Sequence, residues 1–258
     1  MNSNIQSTER KKTINVLVVD DEPFLVDIAQ IFLEKNNFCT DFAYSVDEAL
    51  KKISQYPYDI IVSDYQMPQK NGIELLKQVR ATNPTLPFIL FTGRSREEIA
   101  ILALNEGADF YIQKGGDPKA QFMELSHKIR RAVERKDNAN AIEERNEILS
   151  AILAASPYGV TLVKNRTVQW VNASLALMLG YNTKELIGIP VRNLYATEED
   201  YVAAGKQIMS ELDENGQSKI HARLIRKNGS LMECKIQMAC LNTKNPLYTR
   251  MVTITEKH

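Results

Sequence analysis

Cysteine is scarce in this chain. The three present, Cys39, Cys234 and Cys240, are too few and too scattered for a disulfide framework or a zinc site. They suit a reducing compartment. Long hydrophobic runs are missing too: no apolar stretch approaches the length that crosses a bilayer, and the polar stretch through Lys12 lacks the apolar core of a signal peptide. The chain is expected to be cytoplasmic and soluble, without a membrane partner, and residues 1–12 are expected to form a disordered tail. Nor does one sign of charge dominate, since 32 Lys and Arg balance 32 Asp and Glu. With no basic cluster beyond short helix-end pairs, DNA and RNA are not expected as partners.

The 258 residues suffice for two domains of ordinary size. In the first half, four short apolar runs each end in polar residues: VLVVDDEP from Val16, DIIVSDYQMP from Asp59, FILFTG from Phe88 and FYIQK from Phe110. Runs of this kind read as buried strands. Between them lie candidate helices over Pro23–Asn36, Ser45–Gln55, Gly72–Asn83 and Arg96–Glu106, with another from Pro118 onward. Such alternation predicts a doubly wound α/β fold with a parallel sheet. The carboxyl ends of its strands line one crevice, so Asp20, Asp21, Asp64, Thr92 and Lys114 are expected to converge there.

The residue types explain one another chemically. A carboxylate can attack an activated phosphoryl group, but its charge repels the phosphate oxygens, so a divalent cation must bridge them. Mg²⁺ suits the oxygen donors of Asp20, Asp21 and Asp64 together with the backbone carbonyl of Gln66. Lys114 would pair with phosphoryl oxygens and the Thr92 hydroxyl would donate to one of them. Each residue also has a plainer reading. Asp20 or Asp21 could cap a helix starting at Pro23, Thr92 could be a loop hydroxyl and Lys114 a surface charge.

The ordered set of motifs over residues 13–136 resembles the receiver domain of two-component response regulators. That resemblance implies a five-stranded parallel sheet flanked by helices and phosphorylation of Asp64 by a histidine kinase or phosphotransfer protein. It implies Mg²⁺ at Asp20, Asp21, Asp64 and the Gln66 carbonyl, phosphate contacts at Thr92 and Lys114, and a switch role for Tyr111. Gly115 and Gly116 stand where that family carries a proline after the lysine. Haloacid-dehalogenase-type phosphatases use similar groups in another order: their nucleophile opens the chain in an Asp-x-Asp arrangement, whereas here the acidic pair comes first.

No proline or glycine interrupts the chain from Lys119 to Leu153. The last helix is therefore expected to run on through a helical linker at 137–150. Ile129, Val133, Ile142, Leu149 and Leu153 form a thin apolar stripe that suits a homodimer; a solvated linker is the alternative. His127 reads as a surface residue. The stretch Ile99–Leu104 is too apolar for all of it to face a sheet, which leaves burial by neighbours or a partner surface.

Beyond Ala151 the pattern turns to short strands and short helices. Tyr158–Val163 and Thr167–Val171 flank a turn at Lys164–Arg166, Asn172 caps a helix, and Lys184–Gly188 reads as a short turn. Ile220–Arg226 and Leu231–Met238 flank an Asn228-Gly229 hairpin, and Tyr248–Thr255 supplies a last strand. Asn172, Gly180-Tyr181, Glu185–Gly188, Asp200 in an acidic loop and Arg226–Ser230 give residues 151–256 a resemblance to a PAS domain. It implies an α+β fold with an antiparallel sheet, used for sensing, dimerising or passing a signal. It leaves any ligand or cofactor unknown. Flavin-photoadduct domains carry a cysteine that is absent here, His221 falls in a strand, and Trp170 and Met178 read as core.

No histidine-kinase box, glycine-rich ATP site, helix-turn-helix or cyclase motif is found in these residues. The chain is read as a phosphorelay response regulator rather than a turnover enzyme, with output through protein contacts. The alternatives are a ligand-sensing PAS input segment of a hybrid histidine kinase, or a PAS sensor whose receiver is passive.

Overall fold

The computed structural model describes residues 13–93, 97–211, 217–241 and 249–256. The expected tail at 1–12, the start of the fourth helix at Arg96 and the start of the last strand at Tyr248 lie outside the described residues. Two compact units divide between Glu143 and Glu144.

In the first unit, β1 (Ile14–Val19), β2 (Phe38–Ala43), β3 (Ile60–Ser63), β4 (Phe88–Thr92) and β5 (Phe110–Gln113) form one sheet in the order β2-β1-β3-β4-β5. Every pairing is parallel. Alternation along the strands sorts the core into two layers. Val16 and Val18 of β1 join Ala29 and Leu33 of α1 (Pro23–Lys35) and Phe122, Leu125 and Ile129 of α5 (Pro118–Ala155) on one face. Leu17 and Val19 join α2 (Val46–Gln55), α3 (Gly72–Thr82) and α4 (Glu97–Asn105) on the other. Near-continuous apolar strands are what a sheet covered on both faces requires.

Helix starts follow local chemistry. The Ser45 side chain accepts from the Glu48 N–H to open α2, and Asn71 and Glu74 form a reciprocal capping box at α3. Helix α1 begins differently: Pro23 sits at its first turn and the N-cap Glu22 makes no side-chain cap. Asp20 and Asp21 therefore do not cap it, and the plainer reading of that pair fails.

Helix α5 runs unbroken for 38 residues. Its apolar stripe divides by role: Ile129 and Val133 are buried in the first unit's core, whereas Ile142 and Leu149 are exposed. On α4, Ile99 and Ala103 face the sheet while Ile101, Leu102 and Leu104 are exposed, so neighbours do not bury the excess apolar surface. His127 is exposed on α5.

In the second unit, β6 (Gly159–Lys164), β7 (Thr167–Val171), β8 (Gln217–Ile225), β9 (Leu231–Cys240) and β10 (Thr249–Glu256) make an antiparallel sheet in the order β7-β6-β10-β9-β8. Helices α6 (Ala173–Leu179), α7 (Thr183–Leu186) and α8 (Glu198–Ser210) accompany it. Leu175, Leu179, Leu186 and Leu194 pack with Ile220, Leu224, Ile236 and Ile254 of the sheet. The acidic loop expected around Asp200 is instead the first turn of α8. Thr197 caps it by accepting from the Asp200 N–H at 3.1 Å, and three acids follow where the helix dipole favours negative charge. His221 is exposed in β8, Met178 packs against the core and Trp170 is half-buried.

Asn172 ties three elements of this unit together. Its carboxamide oxygen accepts from Val160 N–H at 2.9 Å and Leu175 N–H at 3.0 Å, and its amide donates to the carbonyls of Leu153 at 3.1 Å and Tyr158 at 2.9 Å. One buried side chain thus satisfies an orphan carbonyl in the last turn of α5 and an orphan N–H of α6. Asn172→Ala is expected to cost about 2–4 kcal/mol by leaving buried backbone groups unpaired. Asn172→Asp should cost at least as much at pH 7, as read by urea denaturation, because a buried carboxylate oxygen would replace the amide that donates to the Leu153 and Tyr158 carbonyls.

Candidate functional site

Three backbone bonds beyond the regular ladder fix the carboxyl ends of the central strands. Asp20 N–H donates to the Ala43 carbonyl at 3.1 Å, Asp64 N–H to Val19 at 2.8 Å and Lys114 N–H to Thr92 at 2.7 Å. Each residue just past its strand is thereby held at the same rim. The Lys114 ammonium donates to Asp20 Oδ2 at 2.6 Å and to Asp64 Oδ1 at 2.8 Å, joining positions 94 and 50 residues distant in the chain. Asp20 Oδ1 also accepts from the Glu22 N–H at 3.0 Å, and Asp64 Oδ2 accepts from the Gln66 N–H.

Both carboxylates are buried, with Asp20 only 6% and Asp64 only 8% exposed. Burial holds the Asp64 carboxyl above its ordinary range, Lys114 and the Gln66 N–H offset part of that, and the Asp20 charge adds to it. For Lys114 burial works downward, but bonding and attraction to Asp20 and then to Asp64 prevail and raise it. The ammonium also lies 5.5 Å from the centre of the Phe91 ring, so its stem is steadied by the sheet.

Around this triad opens a cleft of about 430 Å³, lined by Asp21, Gln66, Thr92 and Gly93 as well as Asp64 and Lys114. Its polar groups are acids, a cation, a hydroxyl and backbone, which suits a small anion together with a hard cation. Among the described residues no group of three or more His, Cys, Asp or Glu side chains is already gathered as a metal site. The sequence-predicted donors nonetheless fit Mg²⁺ by type: Asp20 and Asp64 already share one cation, Asp21 and Gln66 line the same cleft, and all offer oxygen. Tyr111 is placed elsewhere. It is half-buried on β5 against the cluster that includes Leu90, Ile99 and Ala103.

Sequence reasoning missed two residues that shape this rim. A Cβ on Gly72 would fall 2.1 Å from the Asp64 carbonyl oxygen, so only glycine lets α3 start against the loop carrying that aspartate. The Ser63 hydroxyl donates to the same carbonyl at 2.8 Å. A signal for Gly72 was present, since a glycine directly after a good cap, Asn71, serves no turn. Gly115 and Gly116 take φ of +149° and +82°, conformations open to glycine. A proline, fixed near −65°, cannot adopt the first of these.

Two outcomes follow from this geometry. Gly72→Ala is expected to cost about 1–3 kcal/mol, because backbone must move to admit the methyl group. Asp64→Asn in metal-free buffer is expected to stabilise the chain at pH 7 by about 0.5–2 kcal/mol. A raised carboxyl means that the ionised form is costlier in the folded than in the unfolded state, so the native contribution is present at low pH and lost as pH rises through the folded value. The advantage of the asparagine variant should therefore shrink as pH falls below the ordinary carboxylate range, which thermal melts at pH 7 and in acid can compare.

Comparison with known proteins bears on both units. A family described as the response regulator receiver domain matches residues 16–125, and a PAS domain family matches residues 157–255. Response regulator GtcR of Aneurinibacillus migulanus is 34% identical over 120 residues, 46% of this chain and 49% of that protein. Transcriptional regulatory protein ResD of Bacillus subtilis (strain 168) is 34% identical over 117 residues, 45% of this chain and 48% of its own length. The chain spans about half the length of the curated relatives it matches. Among solved structures, a response regulator receiver domain protein from Clostridium thermocellum is 28% identical with a TM-score of 0.45, covering 49% of this chain and 98% of its own. A PAS domain of a LuxR-family transcriptional regulator from Burkholderia thailandensis, solved with ethanol, is 22% identical with a TM-score of 0.39, covering 41% of this chain and 94% of its own. The chain carries a response regulator receiver domain followed by a PAS domain.

Proposed function

We propose that the protein is a cytoplasmic two-component response regulator in which Asp64 accepts a phosphoryl group from a histidine kinase or a phosphotransfer protein. The observation that carries this reading is the Lys114 ammonium, bonded at once to the Asp64 and Asp20 carboxylates in a cleft that Thr92 also lines. A carboxylate that is buried, raised and still held by a cation is poised to react rather than to support the fold.

In the proposed step an Asp64 oxygen bonds to phosphorus while the bond from phosphorus to the donor's imidazole nitrogen breaks. Water later cleaves the acyl phosphate, restoring the carboxylate and releasing inorganic phosphate. Asp20, Asp21, Asp64 and the Gln66 carbonyl would hold Mg²⁺, whose charge screens the carboxylate from the phosphoryl oxygens. Lys114 exchanges its carboxylate partners for a phosphoryl oxygen, and the Thr92 hydroxyl donates to another. The chain marks itself and has no separate turnover chemistry.

Output is proposed to pass through β5 and α4. Tyr111 packs against the core cluster that includes Ile99 and Ala103 of α4, the helix whose Ile101, Leu102 and Leu104 are exposed. A rearrangement around Thr92 biases this surface if the two conformers differ in free energy by a few kcal/mol. Along α5, the exposed Ile142, Ile148, Leu149 and Ile152 support association with a second copy.

Acetyl phosphate with Mg²⁺ is expected to modify wild-type chain at Asp64, located by mass spectrometry, and to leave Asp64→Asn unmodified. Asp21→Asn should raise the Mg²⁺ concentration for half-maximal labelling by about tenfold or more. Labelling at another residue, or labelling indifferent to Mg²⁺, would overturn the reading.

A further inference from the structure

The receiver domain carries a second cleft, of about 430 Å³, at the amino-terminal ends of β4 and β5 and so at the opposite end of the sheet from Asp64. Its volume falls within the range of small-molecule sites. One side is made by Pro84, Thr85 and Pro87 before β4 and by Gly107 and Asp109 before β5. The other is α5 where it leaves the core: Ala132 is buried, and Arg135, Lys136, Ala139 and Asn140 follow at the spacings that share one helix face. Arg80 fixes the floor. Its guanidinium donates to the Leu86 carbonyl at 2.6 Å and to the Gly107 carbonyl at 2.7 and 3.1 Å, and meets Asp109 at 3.5 Å. Asp109 is committed as well, accepting from the Phe88 N–H at 2.9 Å. A Cβ on Gly107 would fall 3.2 Å from Arg80 Nε, and its φ of +94° favours glycine, so that loop is shaped around the guanidinium. One side chain thus pins both loops, and the cleft between them and α5 is preformed.

Arg135 and Lys136 are the uncommitted charges. Neither makes an ion pair among the described residues. A cation on a solvated helix face is ordinarily steadied by an acid three or four positions away. At those spacings Arg135 has Arg131, Ala132, Asn138 and Ala139, and Lys136 has Ala132, Val133, Ala139 and Asn140. None is acidic, and Arg131 adds a like charge. Among the described lining residues Arg80, Arg135 and Lys136 stand against the single acid Asp109, a surplus of two positive charges.

We propose that this cleft binds a small phosphate monoester, its phosphate held by Arg135 and Lys136 and its organic body between the prolines of the β4 loop and Ala132 and Ala139 of α5. Two unpaired cations on adjacent residues call for two negative charges in one compact group, which a phosphate monoester supplies near pH 7 and a single carboxylate does not. Arg135 offers a planar fork of donors and Lys136 a point charge. The Thr85 hydroxyl and the Asn140 carboxamide are left for polar groups on the body. Occupancy ties α5 beyond the core to both loops. The site uses no residue of the Asp64 cleft, so its test stands apart from phosphorylation.

The test titrates the full chain by calorimetry in metal-free buffer with AMP, adenosine and inorganic phosphate, which separate the dianion from the organic body. AMP is expected to bind at least about tenfold more tightly than either fragment. Arg135 is exposed and Lys136 half-buried, and glutamine keeps their helix propensity, so Arg135→Gln and Lys136→Gln retain the fold. Each should weaken AMP by about tenfold. Arg131→Gln removes an exposed charge from the same helix outside the cleft and should leave AMP binding within about twofold of wild type. With AMP present, amide exchange over residues 134–142 should slow in the wild-type chain and not in the Arg135→Gln/Lys136→Gln double variant. The proposal is overturned if AMP does not bind, if adenosine matches it, or if AMP binds without slowing exchange in that segment. An Arg131→Gln loss equal to that of Arg135→Gln, the mark of diffuse charge attraction, overturns it too.

Discussion

The bond pair from one ammonium to two buried carboxylates organises the receiver domain. Lys114 reaches Asp20 and Asp64 from the end of β5, across the full width of the central strands. Without that cation two acids would stand side by side at low exposure, a costly arrangement in a poorly solvated rim. The backbone bonds of Asp20, Asp64 and Lys114 to neighbouring strands make the arrangement rigid, so the electrostatic cost falls on the site rather than being relaxed by movement of loops. Asp64 stays raised even so, because burial outweighs the ammonium and the Gln66 N–H.

Around that triad, each surrounding element serves a close approach. Gly72 lets α3 begin against the Asp64 carbonyl, and the Asn71 and Glu74 box fixes where it begins. Gly115 and Gly116 let the chain leave β5 through positive φ immediately after the lysine. The same economy recurs in the PAS domain. There Asn172 joins the end of α5 to β6 and α6, all within the second unit.

Much of this was legible in the sequence because the signals were local. Strand runs ending at Asp20, Asp64, Thr92 and Lys114 marked the rim and four of the five strands, while the edge strand β2, only partly buried, went unread; Asn172 and Asn228-Gly229 marked a cap and a hairpin. Asp200 was misplaced: an acid-rich segment reads as a loop by polarity, yet Thr197 followed by three acids is also a helix start. The α5 stripe was likewise legible as a pattern but not as a partition. Ile129 and Val133 serve the receiver core, whereas Ile142 and Leu149 face solvent.

Sequence alone determined which chemical groups lie at strand ends, because alternation and apolar length are written residue by residue. It could not determine that Lys114 spans both acids, or that Gly72 is required by a carbonyl eight residues earlier. Those facts arise from strand order and from which surfaces pack, and they join positions whose separation along the chain carries no local signal. Tertiary structure decided them because Coulomb attraction and steric exclusion act through space.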